Sequence, residues 1–397
     1  FNIKKVSDNQ FEGTAAIDGI EVKKTIQIDT EKYLLQTKLS YSKSPQQVET
    51  YVAGDVNRDQ SSSLLKRNYD KESVFVDFGT NETARKDVDP KTSKILDKDY
   101  DNVSVAAIDK HYFTLALIDK SDIAPSFSVK YDQNTSETIG TLKYVVGSGA
   151  SPKFESSLFM GPKEMKLLSA VDERLTKTIN LGWFDWIAKP ILKLLKLFYS
   201  VVGNYGVAII LVTLLIRLIL LPINISSFRS MKKMQLIQPE LKAIKERYKN
   251  DPQRQQVETM NIMKQNKVNP VGGCLPMLLQ LPIFVALYNV LAQSIELYQA
   301  PFMLWIRDLS LKDPYYVLPV LMGITMFIQQ KLTPSAMDPA QAKAMQFMPV
   351  MFAALMVSLP SGLTLYIFVS TLFGILQQYI MTKEKTETKA VQQLISK

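Results

Sequence analysis

The sequence has few of the residues on which most catalytic and metal sites depend. Its 397 residues include one cysteine and one histidine, Cys274 and His111. A single cysteine cannot form a disulfide within the chain, and one residue of each kind cannot build a Cys/His zinc cluster. A Cys–His catalytic dyad would require these two isolated residues to meet. No nucleotide-binding motif or nucleophile elbow is found, so we expect no metal, no cofactor and no enzyme.

The excess of positive charge lies in one half of the chain. The formal net charge is +9, of which residues 1–180 contribute −2 and residues 181–397 contribute +11. The long apolar runs lie in the second half as well. The mean hydropathy of −0.01 is therefore an average over a soluble domain and a membrane domain.

The amino-terminal part has the pattern of short β-strands. Alternating or β-branched runs are separated by polar turn-formers, and they cover residues 33–41, 72–78, 111–118, 126–131 and 141–146. Many short strands with polar connections predict an all-β sandwich, which we assign to residues 1–155. Within it, His111 is predicted to be a packed strand residue.

A connecting region, residues 156–203, follows the predicted sandwich. We expect a helix over residues 163–179 and an amphipathic helix over residues 183–202. Lys189, Lys193 and Lys196 share one face of the second helix, and most of its other residues are aliphatic or aromatic. This composition favours a helix that lies in the membrane interface. The alternative is an ordinary core helix of the soluble domain.

Five apolar segments predict an all-α membrane domain over residues 204–382. They cover residues 205–225, 274–297, 315–330, 347–359 and 363–381. A bilayer core of about 30 Å requires roughly 20 helical residues. The third and fourth segments are shorter, and we interpret them as short spans that would thin the bilayer locally.

The charges of the connections predict the orientation of these segments. Residues 226–273 contain ten basic and four acidic residues, whereas residues 299–314 contain two of each. The positive-inside rule places the first loop in the cytoplasm and hence the β domain outside it. Such a domain must be exported, and residues 1–10 resemble neither a signal sequence nor an anchor. We therefore expect the natural protein to begin before Phe1.

Arg217 is the residue with the strongest functional signal. It is the thirteenth residue of a 21-residue apolar segment, about 12 Å from its cytoplasmic end. An intramembrane arginine costs at least about 2.5–3.5 kcal/mol unless water or a partner receives it. The only acidic residue in the five segments is Glu296, at the outer end of the second. The alternatives are an arginine that reaches the interface by snorkelling and an arginine in a water-filled cavity.

We favour the cavity. Thr213 lies one helical turn before Arg217, and further polar side chains on other segments could line the wall: Gln280, Gln329, Tyr366, Ser370 and Gln377. A cavity with one positive charge and no carboxylate would attract acidic groups. In a thinned bilayer it would also lower the cost of moving a short hydrophilic segment across. These properties predict a membrane-protein insertase that binds its client in this groove.

A cytoplasmic helical hairpin is predicted within residues 226–271. The turn around Pro252 separates two helical stretches, residues 239–249 and 253–265. Flexible methionine side chains suit promiscuous apolar contacts, so the predicted client contacts are Met231, Met234, Met260 and Met263. The hairpin could equally pack only on itself. Its basic residues, and those of the tail at 383–397, could contact ribosomal RNA or anionic lipid, or could act only as topology determinants.

Several long motifs resemble the YidC membrane-protein insertases. The run NPVGGCLPMLLQLPIFVALY (residues 269–288) carries the closest likeness, followed in order by QAPFMLW (299–305), DPYYVLP (313–319), FMP (347–349) and PSGL (360–363). The likeness covers about residues 155–382. The amino-terminal half is similar to that of the Gram-negative members in size, position and strand content.

The resemblance implies a bacterial inner-membrane protein with a large periplasmic domain. It further implies insertion and folding of nascent membrane proteins, alone or with the Sec translocon, and contacts with the ribosome and the lipid bilayer. By motif, Arg217 and Thr213 resemble the family's groove arginine and groove threonine. Tyr366 resembles the first of two adjacent tyrosines, and Ile367 stands in place of the second. No small-molecule substrate is implied.

Two other functions are compatible with the same features. A small-molecule transporter could use the cavity, although five segments of uneven length show no inverted repeat. An envelope assembly scaffold could act mainly through the β domain. We expect neither, because the unusual chemistry lies after residue 180.

Overall fold

The computed structural model describes residues 2–17, 19–43, 45–55, 72–80, 82–88, 99–132, 137–147, 152–266, 268, 270–333 and 346–395. The chain divides into two compact units. One contains residues 1–180 and 293–295, and the other contains residues 181–292 and 296–397.

The first unit is a β-sandwich built from two antiparallel sheets. Its strands are β1 (Asn2–Ser7), β2 (Gln10–Ile17), β3 (Ile20–Asp29), β4 (Leu34–Tyr41), β5 (Gln47–Asp55), β6 (Ser73–Asp77), β7 (Thr83–Asp87), β8 (Val105–Asp109), β9 (Phe113–Asp119), β10 (Ser126–Asp132), β11 (Glu137–Val145) and β12 (Phe154–Pro162). The order is β1-β2-β3-β4-β12-β9-β8-β6-β7 in the large sheet and β10-β11-β5 in the small one.

The middle of the large sheet is buried on both faces. Successive residues of β6 alternate between two cores: Val74 and Val76 pack with Phe127 and Leu142 of the small sheet, whereas Phe75 belongs to the opposite cluster. That second cluster contains residues that follow the last strand, Leu168 and Leu175 among them. Burial on both faces explains why all five residues of β8 are buried and why the strand lacks polar alternation.

The predicted all-β sandwich is confirmed, with local corrections. The five predicted strands correspond to β4, β6, β9, β10 and β11. His111 is not a strand residue: it lies half-buried in the turn before β9, with its ring edge-on to Tyr112 at 4.2 Å. The turn is closed by the bond from the Lys110 amide to the Phe113 carbonyl, because Asp109 pairs directly with Thr114.

The predicted helix over residues 163–179 is interrupted. The structure has α1 (Met165–Val171) and then a 3-10 helix, Glu173–Thr178. Asp172 separates them because its backbone is extended, and its carboxylate accepts a hydrogen bond from the Arg174 amide. An aspartate in this conformation is a helix N-cap, so it starts a new helix rather than continuing the old one.

Two cations, Arg85 of the sheet and Lys177 of the 3-10 helix, connect the 3-10 helix to the large sheet and pair with buried aspartates. The Arg85 guanidinium donates to Asp109 Oδ2 at 2.9 Å and to the Thr178 carbonyl at 2.9 Å. Lys177 Nζ lies 2.7 Å from Asp77 Oδ2. Both aspartate side chains are 1% exposed, so each carboxylate depends on its cation for compensation. Burial also lowers the pKa of the neighbouring Lys163.

The second unit is helical in the residues that the structure describes. Its helices are α2 (Asp185–Val202), α3 (Tyr205–Leu236), α4 (Gln238–Arg247), α5 (Pro252–Gln265), α6 (Pro270–Gln293), α7 (Val317–Leu332), α8 (Met348–Met356) and α9 (Ser361–Ile395). Helix α3 packs on α2 and α9, and α7 packs on α8 and α9. A short 3-10 turn, Ile295–Leu297, follows α6.

Each of the five predicted apolar segments contains a helix. Over the described residues, α3 and the first 22 residues of α9 are long and apolar enough to cross a bilayer. Helix α7 has 16 residues, and α8 has only 9, about 13.5 Å. Helix α8 is shorter than the predicted 347–359 segment, because the helical hydrogen bonding ends before Pro360. Five spans therefore remain a prediction.

The start of α3 tolerates no side chain at Gly206. A Cβ there would clash with the ring of Phe302. We expect Gly206→Ala to lower the thermal midpoint of the helical unit, because overpacking costs about 1–3 kcal/mol. The midpoint can be followed by tryptophan fluorescence, since all the tryptophans lie in this unit.

Gly323→Ala is the matched control for this substitution. It lies inside α7, where a Cβ would meet Ala353 Cβ at 3.0 Å, and the better helix propensity of alanine offsets that contact. Equal midpoints for the two variants would contradict the prediction.

Candidate functional site

Arg217 lies where α3 packs against α9. Its Nε donates to Ser370 Oγ at 2.8 Å, and a terminal guanidinium nitrogen donates to the same oxygen. The arginine is half-buried, whereas the Ser370 side chain is buried. A serine hydroxyl satisfies part of the hydrogen bonding of a guanidinium but supplies no negative charge.

No carboxylate pairs with Arg217 among the residues that the structure describes. Two ion pairs among the described residues of this unit join Lys189 to Asp185 and Lys196 to Glu296, each at 2.5 Å. Glu296, the one acid in the predicted spans, therefore compensates a lysine of α2. No described acidic side chain therefore neutralises the positive charge of Arg217.

Tyr366 extends the polar cluster from α9 to α6. It lies one turn before Ser370 and is 2% exposed. The amide nitrogen of Gln280, on α6, donates to the Tyr366 hydroxyl oxygen. Two hydrogen-bonded pairs, Gln280 with Tyr366 and Arg217 with Ser370, therefore lie one turn apart along α9, and we call these four residues the groove cluster.

Three further predicted wall residues lie outside the groove cluster. Thr213 is buried one turn before Arg217, but its hydroxyl donates to the Ile209 carbonyl at 2.6 Å. A threonine inside a helix often donates its hydroxyl in this way to the carbonyl four residues earlier, so the Thr213 hydroxyl proton is already used within α3. Gln377 lies half-buried on α9, seven residues after Ser370 and hence on a similar face. The Gln329 side chain packs directly against Gly374 of α9, where a Cβ would clash with the glutamine amide nitrogen.

Sequence reasoning missed a row of polar contacts between α7 and α9. Thr325 and Thr371 hydroxyls lie 3.1 Å apart in a buried position, and the Gln378 amide nitrogen donates to Thr333 Oγ1 at 2.9 Å. Their spacing of seven and eight residues along each helix is the signal that could have indicated a shared face.

The methionines predicted to contact clients lie on two helices. Met231 and Met234 lie on the last turns of α3, which continues well past the predicted end at residue 225. Met260 and Met263 lie on α5 of the hairpin. Met260 is exposed, and the other three are half-buried.

The predicted hairpin helices are present as α4 and α5. The turn between them ends at Asp251, whose carboxylate accepts a bond from the Arg254 amide at 3.0 Å and begins α5. Residues 267 and 269, at the end of the predicted hairpin region, lie outside the described residues.

Helix α2 presents an exposed aromatic start. Trp183 just before it is 96% exposed and Trp186 is 73% exposed, whereas Ala188, Ile191 and Leu195 are buried. The helix therefore packs through one face and leaves tryptophans outside, as expected for a helix in a membrane interface.

Two family models match the chain one after the other. The model described as "YidC periplasmic domain" matches residues 8–194, and the model described as "60Kd inner membrane protein" matches residues 197–389. The first covers the β unit from residue 8 onward and the first part of α2, and the second covers the groove cluster.

Relatives with an assigned name match over most of the chain. A membrane protein insertase YidC of Geobacter sulfurreducens is 39% identical over 379 residues, which are 94% of this chain and 70% of that protein. Those of Geotalea daltonii and Syntrophus aciditrophicus are 44% and 40% identical, over 74% and 85% of this chain. The chain spans 57% and 64% of the length of these last two.

One solved structure is a crystal structure of an active YidC insertase with the first transmembrane domain resolved. It covers 94% of this chain and 77% of its own, with 24% identity and a TM-score of 0.46. From the two consecutive family matches and from the relatives of 39–44% identity, we conclude that this chain belongs to the YidC family of inner-membrane protein insertases, with a periplasmic β domain ahead of its membrane domain.

Proposed function

We propose that this chain inserts transmembrane segments of nascent membrane proteins through a hydrated groove at Arg217. The observation that supports this proposal is the unpaired charge: a half-buried arginine in an apolar helix has a serine hydroxyl as its hydrogen-bond partner and no described counter-ion. Such a charge is costly in lipid and is tolerated where water or a polar ligand reaches it.

In the proposed mechanism the groove first attracts the polar tail of the client, and the apolar segment of the client then moves into lipid. The guanidinium attracts an acidic or polar terminal tail of the client into the groove, because the charge has no fixed partner to displace. The groove cluster supplies further hydrogen bonds while the tail is out of bulk water. The apolar segment of the client then passes into lipid, and burial of about 20 apolar residues makes the step favourable. The proposed mechanism makes and breaks no covalent bond and uses no cofactor.

The other contacts of the chain have separate roles in this proposal. The exposed Met260 and its neighbours on the hairpin provide an adaptable apolar surface for the client before it enters the groove. The Sec translocon would deliver some clients, and the basic hairpin and tail would contact the ribosome.

Site-specific photocrosslinking tests the groove. We expect a photoreactive benzoylphenylalanine in place of Gln377 to crosslink to a stalled, ribosome-bound client span. The control is the same probe in place of Ile219, which neighbours Arg217 in α3 but is 64% exposed on another face. At least about fivefold more client adduct at position 377 is expected. Equal yields, or adducts at position 219 only, would contradict a client path along this groove.

A further inference from the structure

The connection between α6 and α7 is held in one conformation by hydrogen bonds. We call residues 298–316 the outer loop. The Asp313 carboxylate is 2% exposed and accepts three hydrogen bonds: from Trp305 Nε1 at 3.0 Å, from the Tyr315 amide at 3.0 Å and from the Leu318 amide at 2.7 Å. One buried acid thus fixes the tip of the loop and caps the start of α7.

The outer loop is also held by the helices around it. The Asn204 side chain donates to the Phe302 carbonyl at 2.8 Å, at the start of α3. The first residues of α9 donate in the same way, from the Ser361 amide to Leu311 and from the Gly362 amide to Leu309. Ile306 and Leu309, which belong to the loop itself, are buried.

The backbone of the outer loop leaves several apolar side chains exposed on the surface of this unit. A tight turn closes from the Phe302 amide to the Ile306 carbonyl at 3.0 Å, and Leu304 within it has a left-handed φ of 54°. This conformation is unfavourable for a branched residue. Leu304 is nevertheless 81% exposed, and Met303 is 51% exposed. Tyr298 and Tyr315 are exposed as well, as are the two cations, Arg307 and Lys312.

Water is a poor environment for this surface, and the membrane interface is a good one. The loop joins the ends of two apolar helices, so it lies at the boundary where such helices leave lipid. Tyrosines are favoured at headgroup depth, aliphatic tips favour the acyl boundary, and lysine and arginine attract lipid phosphate. The exposed side chains of the outer loop supply all three kinds of contact.

We propose that the outer loop is a preformed wedge that inserts Met303 and Leu304 into the outer leaflet, with Arg307 and Lys312 at the lipid phosphates. A wedge held by Asp313 would disturb lipid packing at one end of the groove helices without any change of conformation. The proposal rests on the membrane arrangement of the proposed function and adds a lipid-binding surface to it.

Fluorescence quenching in liposomes tests the wedge. The probe is an environment-sensitive nitrobenzoxadiazole group on Leu304→Cys, in a Cys274→Ser background because Cys274 is the only native cysteine. The vesicles contain phosphatidylglycerol, phosphatidylethanolamine and lipids spin-labelled near the headgroup. We expect strong quenching by those lipids and an iodide quenching constant at least about fivefold below that of Ile3→Cys, an exposed apolar position in β1.

A third position separates this proposal from the proposed function. Ile219→Cys lies within α3, and its probe should be quenched by lipids labelled deep in the acyl chain. If Ile219 responds so and Leu304 is as open to iodide as Ile3, the wedge is overturned and the spanning arrangement stands. If Ile219 fails to respond, the membrane arrangement itself fails. A Leu304 probe shielded from both iodide and spin-labelled lipid would overturn the wedge in favour of a contact between proteins.

A second variant removes the apolar tip while keeping the turn. Leu304→Asn suits a left-handed residue, because asparagine adopts this conformation readily. With the probe on Met303→Cys, we expect the substitution to raise iodide quenching about threefold. Unchanged quenching would show that Leu304 does not hold the tip in lipid, and it would overturn the wedge.

Discussion

Arg217→Met is expected to slow the insertion of a single-span client with an acidic terminal tail at least tenfold. Methionine keeps much of the length and the apolar stem of the side chain but removes the charge that attracts the tail. A tenfold change in rate corresponds to about 1.4 kcal/mol, a modest share of what an uncompensated charge contributes at this depth. The measurement is the initial rate at which the client becomes protected from protease in proteoliposomes.

Two variants and a second client show whether charge is the cause. Arg217→Lys keeps the charge and should retain at least about half of the rate. Ser370→Ala removes the hydroxyl that accepts the Arg217 Nε bond at 2.8 Å but leaves the charge, so its loss should stay below about threefold. A client with a neutral tail should be slowed less by Arg217→Met than the acidic one. Undiminished insertion of the acidic client by Arg217→Met would reject an essential charge.

Arg85→Met is expected to destabilise the β unit by about 3–5 kcal/mol, the usual cost of leaving a buried charge without its partner. Asp109 is 1% exposed and would lose the 2.9 Å bond to the guanidinium, and the Thr178 carbonyl would lose a donor. Hydrogen–deuterium exchange of β8 peptides, measured in the whole chain, reports the free energy of opening directly.

Controls for Arg85 come from the same unit. Lys5 and Asp8 form an exposed ion pair, 58% and 96% accessible, so Lys5→Met should leave exchange in β8 unchanged. Asp109→Asn in the Arg85→Met background should recover part of the loss, because a neutral amide costs less to bury than a carboxylate. Exchange in the Arg85→Met chain that matches the Lys5→Met chain would contradict the prediction.

The strands and helices were largely predictable because their signals are local. Period-2 patterns located β4 and β10, and the Asp251–Pro252 pair located the start of α5. Prediction failed where a single residue decided the local backbone. Asp172 divides the predicted 163–179 helix by taking an extended conformation, and the turn after Asp109 leaves His111 outside its strand.

The sequence by itself determined the division into a β domain and an apolar helical domain, and it identified Arg217 as a charge without an acid in reach. Those features depend on composition and spacing, which are properties of neighbouring residues. Only the tertiary structure decided which side chains form hydrogen bonds with one another. Ser370 meets Arg217 from 153 positions away and Gln280 meets Tyr366 from 86, whereas the Thr213 hydroxyl turns to its own helix. Which helix faces meet depends on packing across the whole unit, and no local pattern contains that information.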